Sequence, residues 1–251
     1  MRYALGLRTI PALFPPAVQI EMLSRLLHRD LSIKEHQTNL HAHFNMEYPP
    51  RSDDPRRPAS FFADHVRTRL LHPKDASVHK PISVQDMLGR KLRWMTLGGQ
   101  YDWTNKEYPP GLPPPFPQDV SEVLRVAFPN TDAQAAIVNV YSAGDTLSMH
   151  RDVSEDCDAG LISVSFGCDG LFMVSHDDNN DCEVIRLQSG DAVYMIGKSR
   201  FAWHGVPKIL PFTCPEWLKN WPYGENDEYR SWKGWMSGKR INLNVRQMTG
   251  R

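Results

Sequence analysis

The sequence lacks the features that mark membrane proteins and small zinc-binding modules. No apolar run approaches the ~18 residues that a membrane-spanning helix needs. The chain has only four cysteines, Cys157, Cys168, Cys182 and Cys214, and no two of them form a C-x-x-C pair. A zinc ribbon is therefore not indicated, and we expect reduced intracellular thiols and no membrane partner.

The amino terminus also lacks the sustained apolar core of a secretory signal. It carries two arginines and no acidic residue before Glu21, a composition that permits mitochondrial targeting. We therefore expect an intracellular protein of the nucleus, the cytoplasm or the mitochondrion. Nothing in the pattern demands an oligomer, and a monomer is the expected state.

The chain has no net charge, but its charges are unevenly distributed. Residues 1–110 carry 16 Lys and Arg against 11 Asp and Glu, a net of +5, and residues 111–251 carry a net of −5. Arg56 with Arg57, Arg67 with Arg69, and the group of Arg90, Lys91 and Arg93 could contact the phosphates of nucleic acid. An ordinary solvated surface explains an excess of five charges equally well.

The periodicity of the chain predicts an α+β protein. Helices are expected over Ala17–Leu31, after Pro15-Pro16, over Ser60–Leu71 and over Gln118–Phe128. Residues from Ala136 onward form short apolar or alternating runs separated by turn residues, an arrangement typical of a double-sheet jelly roll. The expected strands are Ile137–Tyr141, Leu147–His150, Leu161–Phe166, Leu171–Ser175, Glu183–Leu187 and Ala192–Ile196.

Three residues form a candidate metal site. His150 and Asp152 are two residues apart, which on a strand places both side chains on one face. With His204, 52 residues after Asp152, they would make the two-histidine, one-carboxylate triad of non-haem Fe(II) oxygenases. The pattern alone is weak, because a chain with 10 histidines offers many such combinations.

The segment Arg240–Arg246 alternates strictly between polar and apolar residues. Ile241, Leu243 and Val245 share one face, and Arg240, Asn242, Asn244 and Arg246 share the other. By pattern alone, an antiparallel strand with a solvated polar face is the simpler interpretation. The alternative is a polar face that lines a cleft, where two guanidinium groups could bind the carboxylates of a small diacid.

Three segments together resemble the AlkB family of Fe(II)/2-oxoglutarate dioxygenases, and most closely the branch of AlkB homologue one. They are NVYSAGDTLSMHRD, which begins at Asn139, SGDAVYMIGKSRFAWHGV, which begins at Ser189, and RINLNVRQ, which begins at Arg240. HRDVSE at His150 and LRWMTLGGQYDWTNKEYP at Leu92 add to the likeness. The resemblance covers about residues 90–250, and several ordered motifs at family-like spacing make it specific.

The resemblance implies a jelly-roll (double-stranded β-helix) core with N-terminal helices packed outside it. It implies that His150, Asp152 and His204 bind Fe(II), which reacts with 2-oxoglutarate and O2. It also implies that 2-oxoglutarate is held by Asn139, Tyr141, Arg240, Asn242 and Arg246, with Arg240 on the distal carboxylate. Bacterial members have an acidic residue two positions after the metal aspartate, where this chain has Ser154.

The family pattern also suggests how the chain is divided. Residues 1–90 would form a helical extension and the start of a nucleotide-recognition region, and residues 91–251 the dioxygenase domain, in one folded unit. A recognition lid is expected at residues 92–110, and an insertion at 207–237 holds four tryptophans that we expect to be buried against the barrel. Candidate substrate-binding residues are Trp94, Tyr101, Trp103, Ser154 and Glu155.

The function implied is oxidative demethylation or hydroxylation of methylated bases in nucleic acid. The branch resembled acts on N1-methyladenine or 5-methylcytosine in tRNA, and has been linked to N6-methyladenine in DNA. Two alternatives remain at this point: a catalytically silent nucleic-acid-binding relative, and a zinc hydrolase that uses the same two histidines and carboxylate.

Overall fold

Two antiparallel sheets form the framework of the protein. A computed structural model describes residues 6–50, 59–102, 105, 107–109, 111–176, 182–225 and 227–250. The larger sheet has the strand order β1-β10-β7-β12-β5-β4, the smaller one β6-β11-β8-β9, and β2 and β3 pair separately. In these described residues the strands are β1 (Leu7–Ile10), β2 (Leu70–Leu71), β3 (Ile82–Ser83), β4 (Trp94–Gly98), β5 (Ala135–Ser142), β6 (Leu147–His150), β7 (Leu161–Gly167), β8 (Gly170–Ser175), β9 (Cys182–Leu187), β10 (Ala192–Met195), β11 (Trp203–Ile209) and β12 (Lys239–Arg246).

Strand β12 lies inside the larger sheet and is buried on both faces. Its apolar residues, Ile241, Leu243 and Val245, join the main hydrophobic core together with the helices. Its polar face points toward the smaller sheet, and the interpretation of that face as solvated is wrong. The relative exposures of the polar residues are 1% for Arg240, 6% for Asn242, 7% for Asn244 and 5% for Arg246.

The space between the sheets is apolar on one side and polar on the other. Beneath β1, β10 and β7, residues such as Leu161 and Val193 pack against Phe172 and Val174 of the smaller sheet. Beneath β12 and β5 the inward residues are largely polar, since the pleat that directs Leu243 outward directs Asn244 inward. The jelly-roll prediction is confirmed, and its polar side holds the candidate site.

Helices cover the outer face of the larger sheet, as expected. Helix α1 (Pro16–Ser24) continues through a π-helical turn (Arg25–Arg29) and a 3₁₀ turn (Asp30–Ser32). The remaining α-helices of the described chain are α2 (Val84–Asp86), which passes into a π-helical turn at Met87–Lys91, and α3 (Gln118–Ala127). Further 3₁₀ turns lie at Asn39–Ala42, Asp64–Val66, Gly197–Phe201, Asp227–Trp232 and Trp235–Gly238. Among the residues described, no helix is long and apolar enough to cross a membrane.

The helix expected over Ser60–Leu71 is wrong. That stretch holds only the 3₁₀ turn Asp64–Val66 and the short strand β2. The Ser60 hydroxyl accepts a hydrogen bond from the Phe62 backbone N–H at 3.0 Å, a local contact that competes with helical hydrogen bonding. The edge strand β1, which pairs with β10, was not predicted as a strand. The boundary at residue 90 stays a prediction.

Two of the four tryptophans of the insertion, Trp221 and Trp232, are buried, and they pack largely against the N-terminal region. Phe62 makes edge-to-face contacts with Trp221, Trp232 and Trp235 at ring-centroid distances of 5.4, 5.2 and 5.0 Å. His28 stacks on Tyr229 at 4.5 Å. Trp221 and Trp232 are each 4% exposed, whereas Trp217 is 42% exposed. Residues distant in sequence therefore form one aromatic cluster.

Replacing Phe62 by alanine is expected to destabilise the protein by about 3–5 kcal/mol, because a fully buried ring is lost and a cavity remains. Urea unfolding measures the change. Phe212→Ala is the matched control, since Phe212 is 93% exposed and its loss should cost less than about 0.5 kcal/mol. Equal losses for the two variants would contradict the role given to the aromatic cluster.

Candidate active site

The pairing of β6 with β11 brings the predicted metal ligands together. His150 at the end of β6 lies directly opposite His204 of β11 in the antiparallel register. Asp152 follows β6 and reaches back to both rings. The carboxylate oxygens of Asp152 lie 3.8 Å from Nε2 of each histidine, and the three potential ligand atoms lie within 4.8 Å of one another.

Both imidazole rings are held in the tautomer that a metal ligand needs. Nδ1 of His150 donates to the Ser148 carbonyl at 2.9 Å, and Nδ1 of His204 donates to the Ala202 carbonyl at 3.1 Å. In a neutral ring each Nε2 then keeps its lone pair. Nε2 of His204 is buried and has no hydrogen-bond partner. This orphaned acceptor, aimed at Asp152, fits a divalent ion.

The electrostatics favour the same ligand forms. Burial lowers the pKa of His204 to about 4, so the ring is neutral near pH 7. Burial alone would raise the pKa of Asp152, but the Arg246 guanidinium and the two imidazoles hold that pKa well below its usual range. A neutral imidazole and an ionised carboxylate are the forms that bind metal.

A second set of unpaired groups lies deeper, at the other end of β12. Arg240 donates through Nη2 to the Ser165 hydroxyl at 2.9 Å, while its Nε and Nη1 are buried and have no partner among the residues that the structure describes. The hydroxyl of Tyr141 is also buried and unpaired within the described chain, and the Arg240 guanidinium lies 5.5 Å from the Tyr141 ring. Burial raises the pKa of Tyr141 to about 12, so its hydroxyl remains a donor. These donors fit a carboxylate.

Gly170 provides the space that Arg240 occupies. A Cβ placed on Gly170 would lie 2.6 Å from Nε of Arg240. The requirement for glycine here comes from close approach of a side chain. The sequence pattern did not single out Gly170, because its partner is distant in the chain.

A cavity of about 500 Å³ is lined by two of the three metal-ligand candidates, His150 and Asp152. Asn139, Asn244 and Arg246 line it. Arg246 donates to Oδ2 of Asp152 through Nη2 at 2.8 Å, so it fixes the metal-ligand candidate. Asn244 was not predicted as a site residue, although the alternation of β12 placed it on the same face; its Oδ1 is buried and unpaired.

The contacts of Asn242 differ from those of the other residues predicted to bind 2-oxoglutarate. Its amide nitrogen donates to the Ser163 hydroxyl at 2.8 Å and to the Val164 carbonyl at 3.1 Å. These contacts tie β12 to β7, and a role toward 2-oxoglutarate stays a prediction.

Glu155 belongs to a buried ion-pair network. Its Oε2 accepts a hydrogen bond from Nη2 of Arg200 at 2.8 Å, and the two side chains are 2% and 1% exposed. Its Oε1 accepts one from the hydroxyl of Tyr108 at 3.2 Å and lies 3.5 Å from Nε of Arg246. The Glu155 carboxylate is thus engaged by the protein itself.

Arg200 connects this network to the candidate metal site. Its Nη1 donates to the backbone carbonyl of Asp152 at 2.8 Å, and its Nε donates to that of Ala159 at 2.8 Å. No local pattern pointed to Arg200, because its partners lie more than 40 positions away along the chain. We interpret Arg200 and Glu155 as residues that position Asp152.

Two of the other predicted substrate-binding residues line the cavity. Tyr101 and Ser154 line it, and Ser154 donates to the Tyr101 hydroxyl at 3.3 Å. Trp94 is partly buried on β4, opposite Asn139 of β5. Trp103 lies outside the described residues. The roles of these residues remain predictions.

Comparisons with known proteins show which family the chain belongs to. Residues 64–246 match the model of the 2OG-Fe(II) oxygenase superfamily. The "N6-methyladenosine RNA demethylase ALKB1" of Pyricularia oryzae is 50% identical over 97% of this chain and 74% of its own length. The chain belongs to the AlkB family of 2OG-Fe(II) oxygenases.

Further AlkB relatives agree with this assignment. The "N6-methyladenosine RNA demethylase ALKBH" of Cryphonectria parasitica is 50% identical over 83% of this chain and 99% of its own length. The "tRNA demethylase abh1" of Schizosaccharomyces pombe is 46% identical over 67% of this chain and 57% of its own. "The structure of OsALKBH1" shows the same fold, with a TM-score of 0.63, 20% identity and coverage of 98% and 99% of the two chains.

Replacing Arg200 by glutamine should weaken Mn(II) binding about 10- to 100-fold, because outer residues that orient metal ligands typically have effects of that size. Calorimetric titration with Mn(II) measures the affinity. Arg200→Lys keeps the charge but has fewer hydrogen-bond donors, so its Mn(II) affinity should lie between that of Arg200→Gln and that of the wild type.

Arg186→Gln is the matched control for the Arg200 variants. Arg186 also pairs with a buried carboxylate, that of Asp169, at 2.6 Å, but contacts no metal-ligand candidate. Its loss should leave the Mn(II) affinity unchanged. A wild-type affinity in both Arg200 variants would refute the positioning role.

Proposed function

We propose that this protein oxidatively removes methyl groups from bases in nucleic acid, RNA above all, using Fe(II), 2-oxoglutarate and O2. One observation carries the proposal: in the described chain, β5 and β12 hold the unpaired donors of Arg240 and Tyr141 at one end, and at the other end of β12 Arg246 donates to Asp152 of the triad. A zinc hydrolase has no use for the buried carboxylate-binding group. A silent binding relative has no use for two imidazoles held in ligand tautomers.

In this proposal, His150, Asp152 and His204 hold the iron. Arg240 and Tyr141 bind the distal carboxylate of 2-oxoglutarate. When bound, iron and 2-oxoglutarate supply the activation of O2, with one oxygen atom entering succinate as CO2 leaves and the other entering the methyl group of the base. A hydroxymethyl group on nitrogen then breaks its C–N bond to give formaldehyde and the demethylated base.

The protein's own residues supply position and a dry environment. Arg246 keeps Asp152 ionised and oriented, and Arg200 fixes the backbone of Asp152. The target base would enter the 500 Å³ cavity past Tyr101 and Ser154. A base has to leave its stack to do so, and an aromatic ring at the entrance can compensate for the lost stacking.

Substrate choice is the finer part of the proposal. Two relatives that are 50% identical are named for N6-methyladenosine in RNA and a third for tRNA, which favours methylated adenine in RNA. Ser154 and the engaged carboxylate of Glu155 leave no free acidic group at those two positions to bind the base. N1-methyladenine and 5-methylcytosine in tRNA, and N6-methyladenine in DNA, are the alternatives to compare.

The activity test is turnover of 2-oxoglutarate to succinate, after Fe(II) and ascorbate are loaded anaerobically and air is admitted. RNA with N6-methyladenosine, methylated tRNA and methylated DNA are added separately, and formaldehyde is measured alongside succinate. We expect turnover that rises with methylated RNA and vanishes in His150→Ala.

His72→Ala is the matched control, since His72 is exposed and should leave turnover unchanged. An iron-loaded wild type that forms no succinate with any of these substrates would overturn the proposal.

Replacing Arg240 by glutamine should raise the KM for 2-oxoglutarate at least about 30-fold. Loss of one partner of a buried charged pair costs about 2 kcal/mol or more, which corresponds to that factor. Arg125→Gln, at an exposed position on α3, should leave the KM unchanged. An unaltered KM in the Arg240 variant would remove Arg240 from the 2-oxoglutarate site.

A further inference from the structure

A second cleft, here called the basic cleft, lies between α2 with its π-helical turn and the tryptophan-rich insertion. It has a volume of about 370 Å³ and shares no lining residue with the active-site cavity. The residues that matter most here are Arg67, Asp86, Arg90, Trp232, Lys233 and Trp235. Its volume is at the lower end of the range of small-ligand clefts.

Positive charge exceeds negative charge in the basic cleft. Among the described lining residues, three side chains are cationic and one, that of Asp86, is a carboxylate. Asp86 accepts hydrogen bonds from Arg90 at 2.6 Å and from the Ser83 hydroxyl at 2.9 Å. Within the described part of the cleft, no carboxylate neutralises Arg67 or Lys233.

Two buried donors of the basic cleft have no acceptor. Nε of Arg67 and Nε1 of Trp232 are both buried and make no hydrogen bond in the described part of the chain. Leaving a buried donor unpaired typically costs about 1–3 kcal/mol. Oxygen acceptors of an anion are the ligand chemistry that such donors fit.

The aromatic wall of the basic cleft is held in place. Trp235 donates through Nε1 to the Leu88 carbonyl at 3.1 Å, and its ring packs against Phe62 at 5.0 Å. Phe62 also fixes Trp232 at 5.2 Å. The unpaired donor of Trp232 is therefore set before any ligand arrives, which lowers the entropic cost of binding.

A short chain of contacts connects the basic cleft with the active-site cavity. Lys239 donates to the carbonyl of Gly89, which lines the cleft, at 2.6 Å, and to the Ser142 hydroxyl at 2.8 Å. Asp145, three residues beyond Ser142, pairs with Arg93 and precedes Thr146, which lines the active-site cavity. Contacts within the protein thus link the two sites.

We propose that the basic cleft binds a backbone phosphodiester of the nucleic-acid strand whose target base enters the active site. The inference rests on the proposed function and adds to it a contact away from the reacting base. A phosphate offers the negative charge and the multiple acceptors that Arg67, Lys233 and Trp232 lack. It would act on affinity for long strands and leave the chemistry at the methyl group unaffected.

The test compares Arg67→Gln, Lys233→Gln and the double variant in binding to tRNA and to a methylated trinucleotide, by fluorescence anisotropy over a range of salt concentrations. The double variant should bind tRNA about 10-fold more weakly, and the slope of log K against log salt should become shallower by about 0.7, the value for one lost phosphate contact. Trinucleotide affinity and turnover should be unchanged, since so short a strand does not reach the cleft.

A double variant of two exposed cations elsewhere, Arg125→Gln with Lys208→Gln, controls for net charge. Lys233 is exposed, so Lys233→Gln tests the proposal even where substitution of the half-buried Arg67 impairs folding. Equal weakening by the control pair, or an equal loss of trinucleotide binding, would overturn the proposal. If added inorganic phosphate leaves the tRNA affinity unchanged, the proposal is also overturned.

These outcomes are distinct from failure of the proposed function. If the wild type does not turn over 2-oxoglutarate, the proposed activity is refuted. If the wild type turns over 2-oxoglutarate but the double variant keeps the wild-type tRNA affinity and salt slope, only the role of the basic cleft is refuted.

Discussion

Burial of strand β12 on both of its faces is the constraint on which the rest of the structure depends. Its outer face, with Ile241, Leu243 and Val245, packs into the core beneath the helices. Its inner face keeps two arginines and two asparagines away from water. Burying such groups is costly unless they find partners. The groups that remain unpaired mark where bound iron and the carboxylate of a ligand would complete the site.

The charged groups around Asp152 form one balanced system. Arg246 pairs with its carboxylate, Arg200 holds its backbone, and Glu155 lies between the two guanidinium groups. Each ion is buried next to an opposite charge, so its desolvation cost is offset within the cluster. Tyr108, from the region predicted as a recognition lid, donates to Glu155. The lid region is thus in direct contact with the residues that position a metal ligand.

Much of this could be predicted from local sequence patterns. The period of two in Arg240–Arg246 predicted a strand, and the spacing of His150 and Asp152 made them metal-ligand candidates, because side-chain alternation is a local property. What failed depended on distant partners. The alternation could not show that a second sheet covers the polar face of β12. Nor could it show that Phe62 packs against the tryptophans or that Arg200 donates to the backbone carbonyl of Asp152. It also could not show that the Ser60 hydroxyl competes with helical hydrogen bonding. The resemblance to the AlkB family predicted which residues bind 2-oxoglutarate. The unpaired donors of Arg240 and Tyr141 give a physical reason for that predicted binding role.

The most direct test of the central claim is a crystal structure of the protein with Mn(II) and 2-oxoglutarate, with data that record the anomalous signal of manganese. The account predicts one strong anomalous peak bounded by Nε2 of His150, Nε2 of His204 and the Asp152 carboxylate. It also predicts that the distal carboxylate of 2-oxoglutarate accepts hydrogen bonds from Arg240 and Tyr141. A manganese peak elsewhere, or a 2-oxoglutarate molecule that leaves Nε and Nη1 of Arg240 unpaired, would contradict it.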